Sequence, residues 1–231
     1  MIGIIGAMPI EVEKLQDVMQ NVEIIEVSKV KYYLGELNGV RCVVAFSGVG
    51  KVNSAVCAQT MIFKFNVDKI INIGVAGGLL ENMKTGDIVI STKSVQYDVD
   101  TSAVGDPKGL ISTINILELP CSEILKNKFV NVLKSDDKLN FYKGIIATGD
   151  QFIIDKSILK DIRKDFDAIA CDMETGSIAQ VCYLNDIDFL SMRIISDNIN
   201  NDNSHMDYEK FKLNSARLAC LILEKAIAYI E

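Results

Sequence analysis

The sequence predicts an α/β protein in which short buried strands alternate with helices. Apolar, β-prone runs recur along the chain, as at 168–171 and 189–195, and such runs are typical of strands in a sheet that is covered on both faces. The segment between them, 177–184, reads as a helix, and this alternation is typical of α/β folds. Because 231 residues are enough for one sizeable core, we expect a single domain spanning the whole chain.

The composition argues against a nucleic-acid partner. The formal net charge is -7 and the Lys and Arg residues are not clustered, whereas phosphate backbones are bound by clustered cations. Apolar residues make up 49% of the chain. That share is ordinary for a globular protein but leans hydrophobic, which favours a covered subunit interface.

The cysteines and the N-terminus predict a cytoplasmic protein. None of the six cysteines forms a C-x-x-C pair, so we expect reduced core thiols and neither disulfides nor a metal site. The N-terminal residues lack a basic region and a cleavage site, and no apolar run reaches the length of a membrane span. We therefore expect neither export by a standard signal nor a membrane anchor.

The first half of the chain is predicted to contain a hairpin and two helices that follow strands. After a strand at 2–5, Pro9 suits the first turn of a helix that reaches about residue 21. The Asn38-Gly39 pair between strand-like runs is a strong hairpin signal. The remaining predicted elements of this half are strands at about 23–28, 31–37 and 41–46, and a helix that ends at about residue 65.

The glycine-rich segment 47–53 opens the second of these helices. It is not a Walker A loop, because Ala45 and Val52 occupy positions that require Gly and Ser or Thr. It is not a dinucleotide-binding loop either, because Asn53 stands where Gly is required. Its glycines are typical of a tight turn or of a close approach between backbone and ligand.

The second half of the chain continues the alternation. An irregular region at 97–120 is long for a compact domain and indicates a functional segment or an interface. The other predicted elements are strand 67–73, loop 74–78, strand 86–91, helix 122–134, strand 144–150, strand 168–171, helix 177–184, strand 189–195, loop 198–204 and an amphipathic helix from residue 207.

Acidic residues follow three of the predicted strands. Glu174 and Asp197 follow the strands at 168–171 and 189–195, which one helix separates, so we expect these strands to lie parallel and to present both acids at one edge of the sheet. Ligands bind at that edge in open α/β sheets. Glu11 comes after the first strand. Each acid alone is also typical of a helix cap, a helix-dipole contact or a solvated turn, but paired carboxylates are the usual equipment for acid and base chemistry.

Six motifs of the chain resemble, in their order and spacing, those of a known enzyme family. They are GIIGAM at 3–8, SGVGKV at 47–52, AGG at 76–78, GDQFI at 149–153, DME at 172–174 and RIISD at 193–197. The family is that of the 5'-methylthioadenosine/S-adenosylhomocysteine nucleosidases, within the purine nucleoside phosphorylase family. The resemblance implies a nucleoside phosphorylase-like, three-layer α/β/α fold with a mixed central sheet, and a homodimer.

The resemblance also implies a reaction. Water irreversibly cleaves the N-glycosidic bond of methylthioadenosine and S-adenosylhomocysteine, without metal or cofactor, in methionine salvage and S-adenosylmethionine recycling. Carried onto this chain, the family pattern makes Glu11 the base that activates water, Asp197 the acid that protonates adenine N7, and Glu174 the acceptor for ribose hydroxyls. These roles agree with the chemistry, because adenine leaves poorly until it is protonated and water must lose a proton as it attacks.

The resemblance assigns further residues to substrate binding. Met173 is expected against the ribose, Phe152 stacked on adenine, and the backbone of Ile153 at the base edge. The 5'-thio substituent is expected in an apolar pocket, and part of the irregular region is expected to reach the partner subunit's pocket. The full set of expected binding residues is Met8, Val49, Ala76, Gly77, Val104, Pro107, Phe152, Ile153, Met173, Arg193, Ser196 and Tyr208. Met8, Val49 and Tyr208 form the 5'-thio pocket, and Val104 and Pro107 reach the partner.

One position departs from the family pattern. Val75 stands where these enzymes carry Ser or Thr, whose hydroxyl helps to orient the acid at position 197. Valine donates no hydrogen bond, so Asp197 is expected to be oriented by backbone groups, Ser196 or water. The departure concerns catalytic efficiency more than the type of reaction.

Three other functions remain open at this point. A nucleoside phosphorylase of the same fold would use phosphate in place of water, although the chain has few arginines and Glu11 would repel the anion. A futalosine-type or 5'-deoxyadenosine hydrolase differs in substrate range. A non-catalytic nucleoside-binding module would keep the aromatic and glycine positions without needing the three acids.

Overall fold

The structure, a computed structural model, describes residues 1–198 and 204–230, without the side chains of residues 204–210 and 212. Its strands are β1 (Ile2–Gly6), β2 (Gln20–Val27), β3 (Val30–Leu37), β4 (Val40–Phe46), β5 (Lys69–Gly78), β6 (Ile88–Gln96), β7 (Leu119–Pro120), β8 (Phe141–Thr148), β9 (Ala168–Asp172) and β10 (Asp188–Asn198). Its helices are α1 (Pro9–Val18), α2 (Lys51–Phe65), α3 (Glu123–Lys134), α4 (Lys156–Phe166), α5 (Thr175–Leu184) and α6 (Ser204–Ile227), with a 3-10 turn at Ser102–Val104.

The strands form one mixed sheet that closes on itself at one end. The order is β10-β6-β8-β9-β5-β1-β4-β3-β2, and β10 also pairs with β5. Strands β5, β9, β8, β6 and β10 therefore form a ring, from which β1, β4, β3 and β2 extend as an open sheet. The short strand β7 pairs with β6.

The helices pack on this sheet in two groups. Helices α1 and α3 both contact α6, which also contacts β10 and β5. Helices α2 and α5 contact each other, and α5 also contacts β6, β8 and β10. The predicted α/β class with a mixed central sheet is confirmed.

Two local predictions are confirmed by the residues that make the turns. Strands β3 and β4 pair antiparallel up to Leu37 and Val40, and the turn residues Asn38 and Gly39 have φ of 48° and 80°. These positive values are what a type I′ hairpin turn requires. Helix α3 begins where predicted, because the Ser122 side chain accepts a hydrogen bond from Leu125 N at 3.4 Å.

The predicted pairing of the strands that precede Glu174 and Asp197 is wrong. Strands β9 and β10 are not neighbours and do not run parallel, because β5 lies between them, parallel to β10 and antiparallel to β9. The ring explains how the two acids still meet. Gly77 of β5 is paired with Asp197 on one side and with Cys171 on the other, so the ends of β9 and β10 converge on one residue.

Other element boundaries also differ from the predictions. Residues 74–78 form the end of β5 and are not a loop, and α1 ends at Val18. The sequence analysis did not predict α4, although Asp155 caps it and Leu159, Ile162 and Phe166 are buried along one face. Helix α6 begins at Ser204, before the predicted residue 207. Of the predicted loop 198–204, residue 198 belongs to β10 and residues 199–203 lie outside the described residues.

Candidate active site

A cavity of about 90 Å³ lies where β5, β9 and β10 converge. All three predicted catalytic acids border it. Its lining consists of Ala7, Met8, Glu11, Val49, Val75, Ala76, Gly77, Gln151, Phe152, Ile153, Cys171, Asp172, Met173, Glu174, Ser196 and Asp197. A larger cavity of about 530 Å³ lies between α3, α6 and the β3–β4 turn, but none of the three acids borders it.

Glu11 lies in the first turn of α1 and its carboxylate folds back toward the start of the helix. One oxygen accepts hydrogen bonds from the backbone N–H groups of Ala7 at 2.7 Å and Met8 at 2.9 Å, and the other accepts one from Val75 at 3.2 Å. The side chain is almost fully buried, at 1% exposure. Glu11 thus caps its own helix and at the same time presents its carboxylate to the cavity.

Glu174 follows β9 and reaches toward the N-terminus of α2. Its Oε1 accepts a hydrogen bond from Gly50 N at 3.0 Å. Gly50 has φ of 96°, and a methyl group on it would lie 2.9 Å from Asp150 Oδ1, so only glycine allows this backbone to approach both carboxylates. The predicted glycine-rich segment therefore serves a close approach to a carboxylate of the site.

Arg193 lies behind these two acids and is completely buried. Its Nη2 is 2.5 Å from Asp172 Oδ2, 3.0 Å from Thr175 Oγ1 and 3.8 Å from Glu174 Oε2, and it also contacts Asn72 Oδ1. Its Nη1 is buried and has no hydrogen-bond partner among the described residues. A methyl group on Gly74 would lie 2.1 Å from Nη1 and 2.8 Å from Glu11 Oε1, so both atoms pack directly against Gly74 and leave no room for a side chain there.

Burial and charge act in opposite directions on the two glutamates. Burial raises the pKa of Glu11 above its usual value, while the Arg193 guanidinium and the three backbone N–H groups oppose the rise. Burial also raises the pKa of Glu174, to about 7, with Arg193 again opposing and Asp172 adding to the rise. Both carboxyls are therefore more basic than free glutamate.

Asp197 stands at the other end of the cavity. Its Oδ1 accepts a hydrogen bond from Ser196 Oγ at 2.7 Å, and its Oδ2 would lie 3.4 Å from a methyl group on Gly77. Ser196 is thus one of the groups that orient Asp197, as expected from the valine at position 75. The Cys171 thiol borders the same end, and burial raises its pKa.

The structure brings most of the predicted binding residues to the cavity but not all of them. Arg193 does not form part of the cavity wall. Val104 is 82% exposed on the 3-10 turn, and Pro107 is exposed in the same irregular region. The side chain of Tyr208 lies outside the described residues.

The sequence analysis missed several residues of the site. Ala7, Gln151, Cys171 and Asp172 border the cavity but were not assigned a role. Ala7, Gln151 and Asp172 stand next to assigned residues and within the motifs, and Cys171 directly precedes the DME motif, so their place in or beside the motifs was the available signal. Among the described residues, no group of three or more His, Cys, Asp or Glu is arranged to hold a metal ion.

Three kinds of comparison relate this chain to known proteins. Residues 1–228 match the phosphorylase superfamily. The chain is 38% identical to the 5'-methylthioadenosine/S-adenosylhomocysteine nucleosidase of Haemophilus ducreyi, over 91% of this chain and 90% of that protein. It is 35% identical to the aminodeoxyfutalosine nucleosidase of Campylobacter jejuni, over 94% of each chain.

The structure is also similar to solved structures. One is the 5'-methylthioadenosine/S-adenosylhomocysteine nucleosidase of Neisseria meningitidis in complex with methylthio-immucillin-A. The TM-score is 0.94 at 32% sequence identity, covering 98% of this chain and 97% of that chain.

Proposed function

Because the chain belongs to the phosphorylase superfamily, we propose that it is a hydrolase that cleaves the N-glycosidic bond of 5'-methylthioadenosine and S-adenosylhomocysteine. The products are adenine and the 5-substituted ribose, as expected of an enzyme of methionine salvage and S-adenosylmethionine recycling. The observation that carries the proposal is the placement of Glu11, Glu174 and Asp197 on the wall of one cavity. Further support comes from the similarity to the 5'-methylthioadenosine/S-adenosylhomocysteine nucleosidases of Haemophilus ducreyi and Neisseria meningitidis.

Asp197 is proposed to protonate the leaving base. Adenine departs readily only after N7 is protonated, so a carboxylic acid must stand beside the base. Ser196 Oγ donates a hydrogen bond to Oδ1, and Oδ2 lies on the Gly77 side of the group. Phe152 and Ile153 border the cavity too and are proposed to stack on the base and to read its edge.

Glu11 is proposed to activate the attacking water. Its Oε1 and the unpartnered Arg193 Nη1 are neighbours that pack against Gly74. A water molecule within reach of both groups would accept a hydrogen bond from Nη1 and donate one to the carboxylate. Burial makes Glu11 more basic than free glutamate, which suits proton removal near neutral pH.

Glu174 is proposed to hold the ribose. Gly50 N occupies Oε1, while Oε2 is available to ribose hydroxyl groups. As the glycosidic bond breaks, the ribosyl carbon becomes positively charged, and a nearby carboxylate stabilises that charge. Met173 borders the cavity beside Glu174 and is proposed to pack against the sugar.

Phosphorolysis is less well supported than hydrolysis. A phosphorylase must bind an anion where the nucleophile attacks, but this part of the cavity is bordered by two glutamates. The nearby arginine, Arg193, is already paired with Asp172. The negative charge of this region would repel phosphate.

The proposal also includes substrates whose 5'-substituents differ from those of 5'-methylthioadenosine and S-adenosylhomocysteine. The chain is about as similar to an aminodeoxyfutalosine nucleosidase as to the methylthioadenosine enzymes. The apolar residues Met8 and Val49 border the cavity and suit a thioether or a methyl group at the 5' position. We therefore include 5'-deoxyadenosine and aminodeoxyfutalosine as candidate substrates.

The protein is proposed to act as a homodimer. Val52, Val56 and Phe63 are exposed on α2, and Tyr183 and Leu184 are exposed on α5, which packs against α2. A second copy would remove this apolar surface from water. Val104 and Pro107, which do not border their own chain's cavity, are proposed to reach the partner's cavity.

The location and domain organisation are also proposals. The six cysteines are free thiols, as expected of a protein in the reducing cytoplasm. None of the helices in the described residues has both the length and the apolar character needed to cross a membrane. One continuous sheet includes strands from residue 2 to residue 198, which supports a single domain.

The decisive experiment measures adenine release by the purified protein in phosphate-free buffer and again after phosphate is added. Methylthioadenosine, S-adenosylhomocysteine, 5'-deoxyadenosine and aminodeoxyfutalosine are tested in parallel. A preparation of the E11Q/D197N double variant controls for contaminating nucleosidases. We expect release without phosphate, unchanged by its addition; release that requires phosphate would make the protein a phosphorylase.

A further inference from the structure

Asp172 lies beside the cavity and holds the buried arginine of the site. Its Oδ2 is 2.5 Å from Arg193 Nη2 and accepts hydrogen bonds from Thr175, and its Oδ1 accepts one from Thr148 Oγ1 at 2.6 Å. Asp172 is only 8% exposed. Both of its carboxylate oxygens are therefore committed to protein groups and not to a ligand.

This pairing determines where the two arms of the guanidinium point. A guanidinium is planar and rigid, so fixing Nε and Nη2 also fixes Nη1. Nε is bound to Thr175 Oγ1 at 3.2 Å, and Nη2 lies between Asp172 and Asn72. The remaining arm, Nη1, has no partner among the described residues and packs against Gly74 on the side of Glu11 Oε1.

The pairing also determines which carboxylate neutralises the arginine. Nη2 lies 2.5 Å from Asp172 but 3.8 Å from Glu174. A buried arginine takes the nearest anion as its counter-charge, because an unpaired buried charge is very costly. Asp172 thus spares Glu174 and Glu11 from forming the full ion pair themselves.

We propose that Asp172 is a positioning residue, which holds Arg193 so that Nη1 faces the attacking water and so that Glu11 and Glu174 remain available to the reaction. This inference rests on the proposed function, because it deepens the role of the same site. Asp172 does not act on the substrate itself. It acts through Arg193.

Other titratable groups lie near this assembly, on the elements packed against it, and they are left unchanged in every variant of the test. They are Glu11 on α1, Asp98 after β6, Asp150 after β8, Cys171 on β9, Asp197 on β10 and Cys220 on α6, together with the Tyr97 phenol and the Lys51 ammonium that pairs with Asp98.

A purely structural role is the competing explanation. Asp172 accepts a hydrogen bond from Thr175 N at 3.1 Å and therefore also caps α5. An ordinary cap would affect the stability of the fold without changing the pH dependence of catalysis. The test must separate these two effects.

The test compares D172N, D172E and D87N by pH profiles of kcat and KM and by thermal unfolding. Asn keeps one acceptor oxygen at position 172, replaces the other with an NH2 donor and removes the negative charge, whereas Glu keeps both acceptor oxygens and the charge. Asp87 is also a buried carboxylate, which accepts a hydrogen bond from Lys84 N at 2.8 Å outside the cavity. D87N is therefore a matched control for the loss of a buried, turn-capping carboxylate.

In D172N, we expect the acidic limb of kcat/KM to move to lower pH by on the order of one unit. The reason is that the unneutralised Arg193 lowers the pKa of Glu11, whose ionised form is the base. We expect kcat at neutral pH to fall about ten- to a hundredfold, with a smaller change in KM. We expect D172E to keep the acidic limb of kcat/KM at its wild-type pH, and D87N to lower the stability of the fold without moving that limb.

The proposal is overturned if D172N keeps the wild-type pH profile and kcat per folded molecule, even if its unfolding temperature falls. If D172N does not fold, D172E decides the question. An acidic limb of kcat/KM that moves to lower pH in D172E by as much as expected for D172N, although the negative charge is kept, would also overturn the proposal. Failure of the proposed function is a separate result, because then the wild-type enzyme itself releases no adenine.

Discussion

The two ends of the cavity are built in different ways. At the end proposed to bind the ribose (the ribose end), two glutamates lie beside a buried arginine, and backbone N–H groups of Ala7, Met8, Gly50 and Val75 donate hydrogen bonds to their oxygens. At the end proposed to bind adenine (the base end), a hydroxyl group orients the aspartate, and the neighbouring wall includes an apolar side chain at position 75 and a thiol at position 171.

The difference matches two different chemical tasks. A base that removes a proton from water must be ionised and must stay in place, and backbone N–H groups together with Arg193 favour the ionised form. An acid that protonates a purine must carry a proton, and a single hydroxyl donor favours the ionised carboxylate less than a cation would. If the two ends act separately, a substitution at one end leaves the task of the other end intact.

The largest effect is expected from D197N, which removes the proton donor at the base end. We expect kcat for adenine release to fall about a thousandfold or more, while methylthioadenosine still binds, because the ribose end is intact. Single-turnover kinetics together with calorimetric binding measure both quantities. Undiminished turnover in this variant would remove Asp197 from the mechanism.

A smaller loss is expected from E11Q, which removes the base at the ribose end. We expect kcat to fall on the order of a hundredfold, because Gln keeps an acceptor for the backbone N–H groups but cannot take a proton. Circular dichroism should show an intact fold. Full activity of E11Q in steady-state assays would leave the water unactivated in this scheme and would contradict it.

Glu174 gives the ribose end a characteristic pH dependence of stability. Burial raises the pKa of Glu174 from 4.5 to about 7. Between pH 4.5 and pH 7 this carboxyl is therefore protonated in the folded protein and ionised in the unfolded chain. Its contribution to stability is fully present below pH 4.5 and is lost as the pH rises through 7. We therefore expect E174Q to be more stable than wild type at pH 8, by about 2 kcal/mol, and to show little gain at pH 5.

Urea unfolding at the two pH values measures this difference. The Gly50 N–H keeps an acceptor in E174Q, so the change isolates the ionisable group. An equal gain at pH 5 and pH 8 would mean that the effect comes from packing and not from the proton.

The smallest effect is expected from the hydroxyl that orients Asp197. S196A removes a hydrogen bond to the acid, and we expect kcat to fall about tenfold. Adding V75S restores a hydroxyl at the position where the resembling nucleosidases carry one. We expect the double variant to recover part of the loss; no recovery would show that position 75 does not reach the acid in this chain.

The sequence predicted the local features of the fold better than the pairing of distant strands. The Asn38-Gly39 turn and the Ser122 cap depend on a few adjacent residues, and both are where the sequence placed them. The relation of β9 to β10 depends on β5, which is about a hundred residues away in the chain and inserts between them. No local pattern encodes that insertion.

The site was predictable to a similar extent. The three acids were noticed because each follows a strand. The ring of strands brings Glu174 and Asp197 together although the predicted parallel pairing was wrong, and the pairing of β1 with β5 adds Glu11. The role of Arg193 behind the wall was not foreseen, because burial of an arginine depends on partners such as Asp172 and Asn72. These partners are separated in the sequence and meet only in the folded chain.

The measurement that tests the division of labour most directly replaces the leaving group. The substrate is p-nitrophenyl 5-methylthioriboside. Its leaving group, p-nitrophenolate, departs without being protonated, but the reaction still needs an activated water. We expect D197N to cleave it within about tenfold of the wild-type rate, while E11Q remains impaired on the order of a hundredfold. If D197N is as impaired with p-nitrophenolate as with adenine, Asp197 is not the acid that protonates the base.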